Sequence, residues 1–349
     1  MSIRERNAGI DLTKAVAVFS VICVHFFLNT PFYREPLHGF MGAAAVTART
    51  AFMVCVPLFL ISTGYLMKNK TLCASYYLGV LNTVITYLLA SIICIIWRCV
   101  QGDDSVQPVL SILNFSGCGY AWYVEMYLGL FVLIPFLNAA YNGLASKRAR
   151  LVLVGTLVLM VALPQQLNWL VKVLPGWWSG SLFPVMYYYV GCYLRDYPVR
   201  LKPSRIVLFW SAWILASSAF NYYLIIITEE NYFMLTSYVD WGSLENLVAS
   251  VLCFVLFQTI NVPSPSTFAG RGIRVVSRCS LGIYLLSFIA DSIIYPNFLS
   301  GFSFRSAFPF LPLVVLVVFL LSAISGYAVS TVSSYASRNL RACVQERLG

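Results

Sequence analysis

Apolar stretches long enough to cross a bilayer recur from one end of this chain to the other, and that repetition leaves little room for any other architecture. Ten such stretches fall at about 9–30, 42–67, 73–98, 120–141, 149–165, 180–196, 205–227, 242–261, 276–295 and 307–336, each near the ~20 residues that a spanning helix needs. A segment in lipid must satisfy its backbone amides internally, so these stretches are predicted to be helices. The expected fold class is therefore all-α, a polytopic membrane helix bundle of about ten transmembrane helices. Pro164 truncates the fifth stretch, and residues 105–115 read as a helix lying at the interface. No stretch of ordinary polar composition is long enough for a separate soluble domain, so residues 1–349 are expected to form a single membrane-embedded domain. With 60% hydrophobic and only 10% charged residues, and a mean hydropathy of +0.79, the composition excludes an ordinary soluble protein.

The cations set the expected orientation. Arg4 and Arg6 precede the first helix, and on the same side fall Lys68, Lys70, Lys147, Arg148, Arg150, Arg195, Arg200, Lys202, Arg205, Arg271, Arg274, Arg278, Arg338, Arg341 and Arg347. The opposite loops are poor in cations and hold Asp103, Asp104, Glu229, Glu230 and Asp240. Both termini are predicted to be cytoplasmic. The net charge of +10 is then this asymmetry together with attraction to anionic lipid, and gives no reason to expect nucleic acid as a partner. The first helix lacks a small-residue cleavage site and is expected to be retained. Ten scattered cysteines and two histidines offer no metal-ligand spacing. A Cys99–Cys118 disulfide on the outer side is conceivable.

Polar residues that lipid ought to exclude carry the functional signal. Lys14 and His25 lie eleven residues apart on the first helix, about three turns and ~16 Å, so they share a face, and Asp11 falls near the same stripe. Lys14 near a helix end also has the plain reading of a snorkelling lysine, and His25 that of an interhelical hydrogen bond. At a depth like that of His25 the second helix carries Arg49, the fourth Glu125 and the ninth Asp291, while Arg98 closes the third. Pairing of Arg49 with Glu125 would satisfy both charges. Taken with His25, the set describes a reaction chamber on the outer side. Trp122, Tyr123 and Tyr127 also suit an interfacial aromatic belt. His38 reads as a loop residue.

At these residues the chain resembles a family. Arg6, Asp11, Lys14 and His25, in "RNAGIDLTKAVAVFSVICVH", are similar to the opening segment of acyltransferase family 3 membrane proteins, where a basic residue, ten others and a histidine begin the first helix. The segment "VPLFLISTGYLM" (56–67) resembles that family's aromatic-rich Ser-Gly-Phe stretch, with Ser62, Gly64 and Tyr65 in place and Thr63 inserted. "WYVEMYLGLFVLIPFLN" (122–138), "YYYVGCYL" (187–194) and "SLGIYLL" (280–286) follow in the family's order. The chain departs from the pattern where relatives often have histidine before the fourth helix's Trp, here Tyr120–Ala121, and after the ninth's "IYL", here Ser287. An Arg-x-x-Arg motif is also absent.

The resemblance implies an O-acyltransferase of the bacterial cytoplasmic (inner) membrane. Its donor substrate would be acyl-CoA, usually acetyl-CoA, with no permanently bound cofactor and no metal, and its acceptor a hydroxyl of a cell-surface or lipid-linked glycan such as lipopolysaccharide O-antigen or exopolysaccharide. Partner glycan-assembly proteins are possible recipients of its product. In this reading His25 is the general base, Glu125 or Asp291 orients it and Arg49 stabilises the oxyanion. Lys14, Lys68 and Lys70, with Asp11 and Ser62, belong to the donor site. Arg98, Trp122 and Tyr127 would contact the glycan. The residues also admit a proton-coupled secondary transporter, or a catalytically silent scaffold.

Overall fold

The computed structural model describes residues 7–103, 106–168, 171–227 and 231–348. Arg4, Arg6, Asp104, Glu229 and Glu230, used above for orientation, lie outside the described residues. The described chain is helical throughout. Its α-helices are α1 (Ala8–Leu28), α2 (Gly39–Phe52), α3 (Cys55–Met67), α4 (Ala74–Tyr77), α5 (Leu81–Val100), α6 (Pro108–Leu113), α7 (Trp122–Gly143) and α8 (Lys147–Met160). They continue as α9 (Ala162–Leu167), α10 (Ser179–Asp196), α11 (Pro203–Ile227), α12 (Leu244–Thr259), α13 (Phe268–Phe298), α14 (Phe304–Ala307) and α15 (Leu311–Leu348).

All ten predicted segments are helical. Among the described residues eight helical units are long and apolar enough to cross a membrane: Ala8–Leu28, Gly39–Met67, Ala74–Val100, Trp122–Gly143, Lys147–Leu167, Pro203–Ile227, Phe268–Phe298 and Phe304–Val344. The other two predicted spans fall short, α12 in length at 16 residues and α10 in apolar character, since its 18 residues include four tyrosines and end on Arg195 and Asp196.

Local chemistry explains where helices begin and break. Side-chain oxygens of Asn7, Ser146, Ser243 and Thr267 accept backbone N–H groups in the first turns of α1, α8, α12 and α13, the usual remedy for amides with no intrahelical partner. Two predicted helices are interrupted, at Met53–Val54 between α2 and α3 and at Val161 between α8 and α9. Each break falls at or next to the residue four before a proline, Pro57 and Pro164, where the ring displaces the carbonyl and the missing N–H removes a hydrogen bond. The first break follows Arg49 by one turn.

α1 lies at the centre, packed by α13, α3, α15, α12 and α2. Nearly all its residues from Ala17 to Phe27 are buried. The α3–α10 contact is unusually close. A Cβ added to Gly64 would sit 1.9 Å from the Tyr188 carbonyl oxygen, and one added to Gly191 would sit 2.1 Å from that of Ile61. Only glycine at both positions permits this approach. α7 braces this seam through Asn138, whose Oδ1 accepts from Tyr188 Oη (2.6 Å) while its Nδ2 donates to the carbonyls of Met67 (2.8 Å) and Lys70 (2.7 Å).

Candidate active site

The site grows from the seam between α1 and α13. On α13, Ser277, Ser280, Tyr284, Ser287 and Asp291 recur at intervals of three and four and form one stripe. Facing them, Asp11 Oδ1 accepts from Ser277 Oγ at 2.7 Å, and His25 Nδ1 lies 3.2 Å from Asp291 Oδ2. The two contacts are fourteen residues apart on each helix, so α1 and α13 run parallel and in register. His25 is 5% and Asp291 2% exposed. A carboxylate only accepts, so the proton on this imidazole belongs on Nδ1 and the lone pair on Nε2.

Two of the places where the chain departs from the family pattern, Tyr120 and Ser287, fall on this histidine. The Tyr120 ring stacks on His25 with centroids 3.7 Å apart, and its hydroxyl donates to Asp291 Oδ2 at 2.8 Å. Asn29 Nδ2 donates to that same hydroxyl at 3.1 Å. Ser287 Oγ is 3.4 Å from His25 Nδ1 and donates to the Tyr284 carbonyl. One histidine framed by Tyr, Ser and Asp thus occupies the site, and sequence reading did not place Tyr120 or Ser287 in it.

Three cavities follow one another along the bundle. His25 lines the middle one, of about 240 Å³, with Cys55, Gly119, Tyr120, Trp122, Trp241 and Tyr284. It shares Val24, Leu28, Trp122 and Trp241 with a neighbouring cavity of about 460 Å³ toward the C-terminal end of α1, which adds Tyr33, Arg49, Thr236 and Asp240. Trp122 and Trp241 stack at 6.2 Å between them. The third, of about 140 Å³, is lined by Lys14, Phe59, Thr63, Thr83, Tyr123, Tyr127 and Ser280. An aromatic wall divides it from the His25 cavity: Tyr123 meets Tyr284 edge-on at 6.0 Å and Phe59 at 5.8 Å, and Tyr284 Oη donates to the Tyr120 carbonyl.

Several expected site residues are placed differently. Glu125 is exposed and pairs with neither Arg49 nor His25; of the two carboxylates at this depth, only Asp291 turns toward the histidine. Arg49, 2% exposed, donates from Nε to Tyr33 Oη (2.9 Å) and lies 4.4 Å over the Phe233 ring. Its Nη1 is buried with no hydrogen-bond partner among the described residues. A further buried carboxylate, Glu245, is 3% exposed and accepts from Asn221 Nδ2 at 2.9 Å. Glu245 was missed because a Ser-x-Glu start reads as ordinary helix capping; its signal was a carboxylate opening the apolar run "LENLVASVLCFVLF".

Tyr127, expected near the glycan, lines the Lys14 cavity instead. Ser62 is fully buried and lines none of the three cavities, whereas the inserted Thr63 does line that of Lys14. Lys68 forms an ion pair with Asp196, which Arg150 also holds at 2.7 Å, and Lys70 is exposed; neither reaches Lys14. Asp11 is engaged by Ser277. Arg98 is bound to Asp103 (2.8 Å) and to the Ser116 carbonyl (3.3 Å), so its charge is already satisfied. Trp122, also expected to contact the glycan, is exposed and lines both the His25 cavity and the one that holds Arg49.

Comparison with known proteins gives one family match. The family model for acyltransferase family 3, described as "Acyltransferase domain", matches residues 7–329. No curated protein and no solved structure matches the chain.

Proposed function

The chain belongs to acyltransferase family 3, and from that premise, a multi-pass membrane acyltransferase, we propose that it moves an acetyl group from cytoplasmic acetyl-CoA to a hydroxyl of an extracytoplasmic or lipid-linked glycan. The membrane is the bacterial inner membrane, and both termini are cytoplasmic. One observation carries the reading: His25, paired with Asp291, lines a cavity, and Lys14, eleven residues away along the same helix, lines another.

In this mechanism Asp291 accepts Nδ1–H, and His25 Nε2 takes the proton of the acceptor hydroxyl as its oxygen attacks the thioester carbonyl. The negative charge moves to the carbonyl oxygen. On collapse the carbon–sulfur bond breaks, and the departing CoA thiolate takes the proton from Nε2. Asp291 offsets the imidazolium charge between the two steps. The donor arm reaches His25 from the Lys14 side, where Lys14 meets its anionic groups and Thr63 and Tyr127 line its path. The acceptor occupies the cavity that Arg49 lines, the outer one in this orientation, its rings against Trp122 and Trp241. Arg49 borders that outer cavity and not the His25 cavity, so its assignment passes from oxyanion stabiliser to acceptor binding.

Purified, detergent-solubilised protein supplied with labelled acetyl-CoA and its host's surface glycans is expected to place label in the glycan. Folded protein that neither binds nor consumes CoA would overturn the proposal in favour of a proton-coupled carrier. Two variants probe the roles. Asp291→Asn removes the negative charge that offsets the imidazolium and replaces an acceptor-only partner by an amide that can also donate to Nδ1, and kcat is expected to fall roughly 10²-fold or more with the donor KM unchanged. Lys14→Met keeps the side-chain length and removes the charge. It is expected to raise the KM for acetyl-CoA about tenfold, roughly one charge-assisted contact, with kcat within about a factor of three. Equal KM values for Lys14→Met and wild type would remove Lys14 from the donor site.

A further inference from the structure

We infer that Cys94 and Cys118 are joined by a disulfide in the mature protein, an inference that rests on the orientation proposed above. Cys94 belongs to α5 and Cys118 to the stretch before α7, yet Cys118 Sγ lies 2.8 Å from Cys94 Sγ as its hydrogen-bond donor. Both side chains are fully buried. At 2.8 Å the two sulfurs need to approach by only about 0.8 Å to reach the ~2.0 Å of an S–S bond. Cys99, whose pairing with Cys118 the sequence left conceivable, is exposed on a face shared with Ile92, Ile96 and Val100 and does not compete.

The location supplies the chemistry. Cys94 and Cys118 flank the connection between α5 and α7, on the cation-poor side of the bundle, which the proposed orientation makes extracytoplasmic. Disulfides form and persist there. The oxidant is a disulfide-bearing thiol oxidoreductase of that compartment. One cysteine thiolate attacks the oxidant's S–S bond, forming a mixed disulfide and releasing one of its sulfurs as a thiol. The second cysteine thiolate then attacks the mixed disulfide, forming Cys94–Cys118 and releasing the other sulfur. Two electrons and two protons pass to the oxidant. Because both thiols end fully buried, the exchange precedes closure of the bundle.

The bridge would act on the site as a positioning element. Cys118 precedes Tyr120 by two residues, and the intervening backbone is already tight, with a Cβ on Gly119 only 2.9 Å from the Phe288 ring. Fastening this stretch to α5 holds the Tyr120 ring on His25 and so fixes one wall of the middle cavity.

The test counts thiols. Wild-type protein is denatured and alkylated with or without prior reduction, then weighed intact and mapped by peptide. Two of the ten cysteines are expected to escape alkylation until reduced, and the cross-linked peptide is expected to join residues 94 and 118. Reduction is expected to lower the unfolding temperature by roughly 5–10 °C. In parallel, Gln101→Cys, at an exposed site beyond α5, is treated with a membrane-impermeant maleimide in intact cells and compared with wild type. Ten free thiols together with labelling at position 101 would overturn the disulfide and leave the orientation standing. Ten free thiols with position 101 labelled only after permeabilisation would overturn both. A linked peptide that joins any other pair would also overturn the assignment.

Discussion

His25→Gln is expected to lower acyl transfer by roughly 10²–10⁴-fold, the range a positioned general base contributes, while the protein inserts and folds as before. Glutamine fills much the same volume and its amide still donates to Asp291. The buried carboxylate therefore keeps a partner, together with the Tyr120 hydroxyl at 2.8 Å, and the penalty for stranding a buried charge is avoided. What glutamine lacks is a nitrogen lone pair able to take a proton near neutral pH. The loss should fall on kcat, with acetyl-CoA binding within about a factor of three of wild type, because the Lys14 cavity is separate and unaltered. Initial rates with labelled acetyl-CoA, normalised to folded protein, make the comparison. Transfer at the wild-type rate would remove His25 from the chemistry, whatever the fate of Asp291→Asn.

The largest expected effect on stability belongs to Gly64→Ala. The new methyl carbon would stand 1.9 Å from the Tyr188 carbonyl oxygen and 2.8 Å from its carbonyl carbon, both backbone atoms of a packed helix that cannot rotate aside. α3 and α10 would have to separate by well over an ångström. That separation would disturb the bond crossing the seam from Arg195 Nη1 to the Tyr65 carbonyl at 2.6 Å, and the bridge through Asn138 of α7 that joins Tyr188 to the Met67 and Lys70 carbonyls. Overpacking of this kind costs about 1–3 kcal/mol, and backbone obstruction combined with lost hydrogen bonds places the substitution at about 3 kcal/mol or more. Thermal unfolding in detergent and the yield of monodisperse protein measure it. Gly129→Ala, where an added Cβ meets nothing within 4 Å, serves as the control and is expected to behave as wild type. Equal unfolding temperatures for the two variants would show that the helices are not held this closely.

The helices were legible because lipid leaves apolar segments few choices, and even the breaks at Met53–Val54 and Val161 follow from Pro57 and Pro164. The site was legible only along one coordinate. Counting residues gives depth, which is how Glu125 and Asp291 came to be equivalent candidates for His25. Rotation about the helix axis decides between them, and rotation depends on neighbours that no single helix encodes. Trp122 and Tyr127 make the same point: five residues apart on α7, they line different cavities. The Asp11–Ser277 and His25–Asp291 contacts were hidden for another reason. The register of α1 against α13 is set across more than 250 residues of intervening chain, although the matching stripe on α13 was visible once its partner was known. Lys68 illustrates the cost of reading charge without partners, since a lysine placed to meet phosphate is already paired with Asp196.

The wall formed by Tyr123, Tyr284 and Phe59 also bears on the energetics of the host membrane. An enzyme that takes its donor from one compartment and its acceptor from the other is under pressure to become a pore. Were the Lys14 and His25 cavities one water-filled passage open at both mouths, every resting copy would conduct protons and small ions down the electrochemical gradient. Three aromatic rings between the chambers form an insulating septum. Under the proposed mechanism the septum would part only for a donor arm slender enough to fill the gap it opens, and the substrate itself would serve as the plug.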